Sequence, residues 1–134
     1  MRVYPVSDVE VSSPTGAPAE VSVEQTGSIT HLRIGSPDRT VQGTQTYVIA
    51  YTVRGAFNRI TEPAPGGTSP VAPYDELYWN ITGSQWEVPI ERAQVTVTAP
   101  RAASTVSCFR GEQGSTDTCD ATAGATSSFS AVDL

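Results

Sequence analysis

Apolar and polar residues alternate along much of this chain, most clearly between Thr44 and Arg54. Four large side chains of that segment occupy every second position: Tyr47, Ile49, Tyr51 and Val53. Because successive side chains of a strand point to opposite faces, the pattern predicts a β-strand with one strongly apolar face.

Shorter segments repeat this alternation, and together they predict about eight strands. The further predicted strands are residues 6–12, 21–26, 29–34, 77–81, 86–90, 94–99, 106–109 and 127–132. The alternation within residues 6–12 is imperfect. Residues 62–73 contain four prolines and two glycines, which predicts a loop without strand pairing.

The predicted fold class is therefore all-β, with the strands arranged as an antiparallel β-sandwich of immunoglobulin-like general architecture. Eleven glycines and ten prolines suit a chain with many turns and little helix. A length of 134 residues suits one domain, so residues 1–134 are predicted to form a single domain. Since 38% of the residues are hydrophobic, the expected core is thin.

The charge of the chain argues against two classes of partner. Fourteen acidic residues outnumber eight basic ones, all of them arginine, and the net charge is -6. Binding to nucleic acid needs clustered basic side chains that face the phosphates, and no such cluster is present in the sequence. Electrostatic docking onto anionic lipid is disfavoured for the same reason.

No stretch of the sequence approaches the roughly 20 consecutive apolar residues that span a bilayer. No apolar signal-peptide core follows Met1 and Arg2 either. The last residues, 129–134, resemble a strand that is interrupted. We therefore expect the chain to be truncated at both ends relative to a longer parent protein. Any contact with a membrane would then be made through segments absent from this chain.

Cys108 and Cys119 are the only cysteines, and ten residues separate them. A structural disulfide is the favoured interpretation, and it would indicate an oxidising compartment. Two free thiols and a metal site are the alternatives. Two cysteines and the distant His31 do not supply the four ligands of a zinc site, so no metal is predicted.

Neighbouring acids at Asp75 and Glu76 invite a catalytic interpretation. At the start of a strand, however, adjacent side chains point to opposite faces and cannot flank one scissile bond. His31 has no recognisable triad pattern around it. No glycine-rich loop precedes a helix, so no nucleotide cofactor is predicted. We expect the domain not to be an enzyme and to carry no cofactor.

Aromatic residues gather between Tyr74 and Trp86. Exposed rings could form a stacking platform for a ligand, whereas buried rings would belong to the core. Trp79 lies between Leu77 and Ile81 on one predicted face, which favours the core for that ring. The candidate ligand-binding residues are Tyr74, Glu76, Tyr78, Asn80 and Trp86. Asn80 could instead serve folding by bonding to the backbone across Gly83.

The segment Tyr74–Asn80, followed by Gly83, Trp86 and residues 88–90, is distinctive. It resembles a family of predicted bacterial membrane proteins labelled domain of unknown function 2207. Similar motifs extend over most of the chain and include residues 32–35, 43, 46–51 and 97–100, Cys108, Gly111 and Cys119. The family's domain is expected to begin one or two strands earlier than this chain does.

The resemblance implies an outward-facing β domain followed by membrane helices, and hence the extracytoplasmic face of the bacterial cell membrane. A missing strand would leave an unpaired sheet edge, through which a homo-oligomer could form. The expected function is a non-catalytic module that contacts an unknown protein or cell-envelope partner. The alternative is a module that binds carbohydrate or cell-wall glycan through exposed aromatics.

Overall fold

A computed structural model of the chain describes residues 4–63, 72–83, 86–112 and 114–134. All regular elements in these ranges are β-strands, and every pairing is antiparallel, so the all-β prediction is confirmed. The sandwich arrangement remains a prediction. The strands are β1 Val6–Ser12, β2 Val21–Thr26, β3 Ile29–Ile34, β4 Val48–Val53, β5 Phe57–Ile60, β6 Tyr74–Leu77, β7 Arg92–Thr98, β8 Phe109–Arg110, β9 Asp117–Thr118, β10 Asp120–Thr122 and β11 Thr126–Val132.

The contacts of the chain group into two compact units, Met1–Trp79 and Asn80–Leu134. In the first unit β1 pairs with β4, β2 with β3, and β5 with β6. In the second unit β10, β11 and β7 form a three-stranded sheet in that order, and β8 pairs with β9. The prediction that residues 1–134 form a single domain remains a prediction.

A β-bulge explains the imperfect alternation of the first strand. Asp8 and Val9 together lie opposite the single residue Tyr51, because Ser7 pairs with Thr52 and Glu10 with Ala50. Because of the extra residue, Val6, Val9 and Val11 lie on one face of β1. The first two are three positions apart, and the last two are two positions apart. These valines are half-buried, whereas the other residues of β1 are exposed. The irregular sequence pattern therefore encodes a regular apolar face.

Asp8 adopts the left-handed backbone conformation that this bulge requires, with φ at 53°. Aspartate tolerates this region, whereas a β-branched residue does so at a cost of about 1–2 kcal/mol. We expect Asp8→Val to lower the free energy of unfolding by about that amount, measured by urea denaturation. Asp8→Gly, which relieves the backbone, should leave stability unchanged or raise it. Equal losses of stability in Asp8→Val and Asp8→Gly would contradict the explanation by the backbone conformation of Asp8.

The three-stranded sheet of the second unit has one apolar face. Val95 and Val97 of β7 lie opposite Phe129 and Ser127 of β11, and Ala121 of β10 lies on the other side of Phe129. The apolar positions of β7 alternate as half-buried residues with exposed polar ones. No large hydrophobic side chain is completely buried among the described residues, so the apolar faces are only partly covered.

Several predicted strand boundaries were wrong. The aromatic strand predicted at 77–81 lies earlier, as β6 over Tyr74–Leu77, because Asn80 begins a turn instead of continuing the strand. No strand forms at residues 86–90, where Pro89 cannot donate a ladder hydrogen bond. The sequence prediction missed three short strands: β5, β9 and β10. Most of the predicted loop 62–73 lies outside the described residues.

Candidate functional site

The strand β6 carries the two neighbouring carboxylates. Asp75 lies opposite Arg59 of β5, and its Oδ1 accepts a hydrogen bond from the Arg59 guanidinium at 3.1 Å. Both side chains are more than half exposed, so this ion pair contributes less than about 1 kcal/mol. Glu76 lies opposite Asn58, and as the next strand residue it points to the other face. Tyr74 shares the Glu76 face.

Trp79, the last residue of the first unit, packs against Tyr4. The two ring centroids lie 5.7 Å apart in an edge-to-face arrangement, a geometry favoured by the charge distribution of aromatic rings. Trp79 is half-buried, so this ring is only partly covered, in contrast to the core position predicted for it. It holds Tyr4, which precedes β1, against the segment that follows β6.

Asn80 begins a turn that two side chains stabilise. Its Oδ1 accepts a hydrogen bond from the backbone N–H of Gly83 at 2.9 Å, which is the folding role that the sequence offered as the alternative to ligand binding. Gly83 has φ at 76°, a conformation in which a Cβ atom would be strained. The indole N–H of Trp86 then donates to the carbonyl oxygen of Thr82. The asparagine, glycine and tryptophan of the sequence motif thus form one local turn.

The turn presents an apolar surface to solvent. Trp86 and Val88 are each 64% exposed, and Ile81 is 55% exposed. The one polar atom of the indole is already satisfied by Thr82, so the exposed part of the Trp86 ring is apolar. We call Ile81, Trp86 and Val88 the turn surface.

The five candidate ligand-binding residues divide between the two units. Tyr74, Glu76 and Tyr78 belong to the first unit, and Asn80 and Trp86 belong to the second. Glu76 is half-buried and the other four are exposed, Tyr78 at 72% and Trp86 at 64%. Their role in ligand binding remains a prediction.

Cys108 and Cys119 form a disulfide, as the sequence predicted. The bond lies at the base of a small hairpin in which Phe109 pairs with Thr118 and Arg110 with Asp117. The backbone N–H of Cys119 also donates to the carbonyl oxygen of Cys108 at 3.2 Å. The disulfide and the strand pairing therefore close the same loop.

Beside this hairpin lies an open groove of about 280 Å³ that sequence reasoning missed. Arg110, Asp120 and Val132 are among its lining residues. The Arg110 guanidinium donates to the carbonyl oxygen of Val132 at 3.2 Å and so links β8 to the end of β11. Nothing in the residue pattern marks this groove, because it arises only when residues far apart in sequence are brought together.

Comparison with known proteins identifies the family. A family model described as "Predicted membrane protein (DUF2207) N-terminal domain" matches residues 3–132. No curated protein and no solved structure matches the chain. Among the described residues, no helix has the length and apolar character needed to cross a membrane. Since the matched region covers nearly the whole sequence, the chain belongs to the family of DUF2207 N-terminal domains of predicted membrane proteins.

Proposed function

We propose that this domain is a non-catalytic extracytoplasmic module of a bacterial membrane protein and that it acts by contacting a protein or envelope partner. The proposal rests on the exposure of the turn surface around Trp86. An exposed tryptophan that is held by its own turn loses little conformational freedom on binding, which favours recognition.

The disulfide supports the extracytoplasmic placement. Disulfides persist in oxidising compartments and are rare in the reducing cytosol. Cys108 and Cys119 are bonded here, and the family is described as a membrane protein. A domain on the outer side of the membrane satisfies both observations.

The arrangement of the carboxylates supports a non-catalytic role. Asp75 is paired with Arg59, and Glu76 points to the opposite face of β6. General acid and base groups must both reach the same reacting bond. These two side chains therefore make a poor catalytic pair.

A glycan-binding module is the second candidate, favoured by the exposure of Tyr78 and Trp86. Exposed aromatic faces can stack against the apolar faces of sugar rings. The bond from Gly83 to Asn80 also fixes the orientation of an amide beside the turn, and amides suit hydroxyl groups as hydrogen-bond partners.

Co-sedimentation with isolated bacterial envelopes tests the proposal. We expect the 134-residue chain to bind envelopes, and we expect Trp86→Ala to weaken binding at least about tenfold, because hot-spot aromatics contribute about 2 kcal/mol or more. Phe109→Ala is the matched control, since Phe109 is an exposed aromatic (59%) outside the turn surface. It should bind as the unchanged chain does.

Treatment of the envelopes separates the two candidates. Loss of binding after protease digestion of the envelopes, with retention after muramidase digestion, supports a protein partner. The reverse result supports the glycan candidate. Equal binding by Trp86→Ala and the unchanged chain would refute recognition through the turn surface.

A further inference from the structure

The strand β7 leaves one edge of the three-stranded sheet open. β7 pairs with β11 over all seven of its residues, and no described strand pairs with its other edge. Pro89 and Pro100 bound the segment on either side, so the open edge is short and well defined. Proteins usually guard such edges with lysine, proline or bulges, and β7 itself contains no lysine, proline or bulge.

The sequence of this edge is complementary to itself. In an antiparallel pairing of two copies centred on Val95, Ala93 lies opposite Val97 and Gln94 lies opposite Thr96. Arg92 then faces Thr98, so no like charges meet. Apolar residues face apolar residues on one side of the sheet, and polar residues face polar ones on the other.

The symmetry of this pairing keeps the apolar face continuous. A two-fold axis perpendicular to the sheet makes the two β7 strands antiparallel and leaves both apolar faces on the same side. A two-fold axis along the strands would turn one face over and expose its valines. A one-residue slip would place Val95 opposite Thr96 or Gln94, so the alternation of β7 excludes it. A two-residue slip would leave strand residues unpaired, so the pairing centred on Val95 is the one that joins all seven residues of both strands.

From this geometry we infer that two copies of the chain associate through β7, forming a continuous six-stranded sheet in the order β10-β11-β7-β7-β11-β10. The inference does not depend on the proposed recognition role of the turn surface. Each copy supplies the same edge, so the contact closes after two chains and does not propagate.

Among the described strands, β4 is another with an open edge and apolar residues, and it is less suited to a defined dimer. Five of its six residues are exposed, and apolar side chains lie on both of its faces. A slip of one residue in a β4 pairing would still bring apolar residues together, so no register is preferred. The bulge at Asp8 also distorts β1, the partner strand of β4. This distortion makes the edge on the β1 side of the sheet less suited to strand pairing.

Sedimentation equilibrium of the 134-residue chain, from about 10 µM to about 1 mM, tests the inference. A single strand pairing buries a small interface, so we expect a dissociation constant on the order of 100 µM. The mass should rise with concentration from 14.1 kDa towards twice that value. Copies anchored in one membrane would meet at a higher effective concentration.

Charge substitutions at exposed positions of β7 test the register. The double variant Gln94→Lys/Thr96→Lys places lysines opposite each other twice in the dimer, and we expect the dissociation constant to rise at least about tenfold. The variant Gln94→Lys/Thr96→Glu places opposite charges in the same pairs and should restore association. As a control, Thr126→Lys/Ser128→Lys adds equal charge on exposed positions of β11, away from the edge, and should associate nearly as the unchanged chain does.

Three results would overturn the inference. The first is a monomer throughout the concentration range. The second is a dimer that Gln94→Lys/Thr96→Lys leaves unchanged, which would place the contact elsewhere. The third is failure of Gln94→Lys/Thr96→Glu to restore association, provided that its circular dichroism and melting temperature match those of the unchanged chain.

Discussion

Replacing Cys108 and Cys119 together with serine is expected to lower the free energy of unfolding by about 2–3 kcal/mol. The disulfide joins residues 11 apart in sequence and so restricts the unfolded chain more than the folded one. The β8–β9 hairpin inside the loop has only two residue pairs, so it cannot hold the loop closed without the covalent bond.

Thermal and urea unfolding measure this loss, which for a chain of this length corresponds to a fall of roughly 8 °C in melting temperature. Reduction of the unchanged chain should reproduce the loss, and reductant should have no effect on the double serine variant. A change below about 0.5 kcal/mol would mean that the hairpin keeps its structure without the disulfide. That result would remove the loop-closure argument for this domain.

Phe129→Ala is expected to lower the free energy of unfolding by about 2 kcal/mol. Phe129 is the largest side chain on the apolar face of the three-stranded sheet, where it is half-buried between Val95 and Ala121. Its loss removes contacts with strands on both sides at once. The expected value lies below that of a completely buried phenylalanine because part of the ring already faces solvent.

Phe109→Ala provides the comparison, since the same atoms are removed from a ring that is 59% exposed on β8. We expect it to cost less than about 0.5 kcal/mol. Urea denaturation of both variants measures the difference, provided that the slope with denaturant is unchanged. Equal losses would contradict the central role of Phe129 in the sheet.

The two stability predictions concern the second unit, which carries both the disulfide and the three-stranded sheet. Loss of either the disulfide or Phe129 should not abolish the turn formed by Asn80, Gly83 and Trp86, because the hydrogen bonds of that turn are local. The envelope-binding test can therefore be interpreted separately from the stability of the three-stranded sheet.

Local patterns were enough to predict the strand class and several individual strands. The segment 29–34 was predicted within the same bounds as β3, and residues 127–132 fall within β11. Alternation with a period of two depends only on neighbouring residues and on which face is apolar, so a single sequence carries it. The Asn80 turn and the disulfide were predictable for the same reason, since their partners lie close in sequence.

Residue patterns predicted the all-β class, favoured a Cys108–Cys119 disulfide and offered the Asn80–Gly83 bond as one of two roles for Asn80, and the structure shows all three. The resemblance of the motifs indicated the membrane-protein family that the family model shows. Only the folded chain reveals that β1 pairs with β4 across a bulge, that Trp79 packs on Tyr4, and that no described strand pairs with the outer edge of β7. The physical reason is that strand pairing joins residues far apart in sequence. Alternation identifies the apolar face of a strand but does not identify its neighbour.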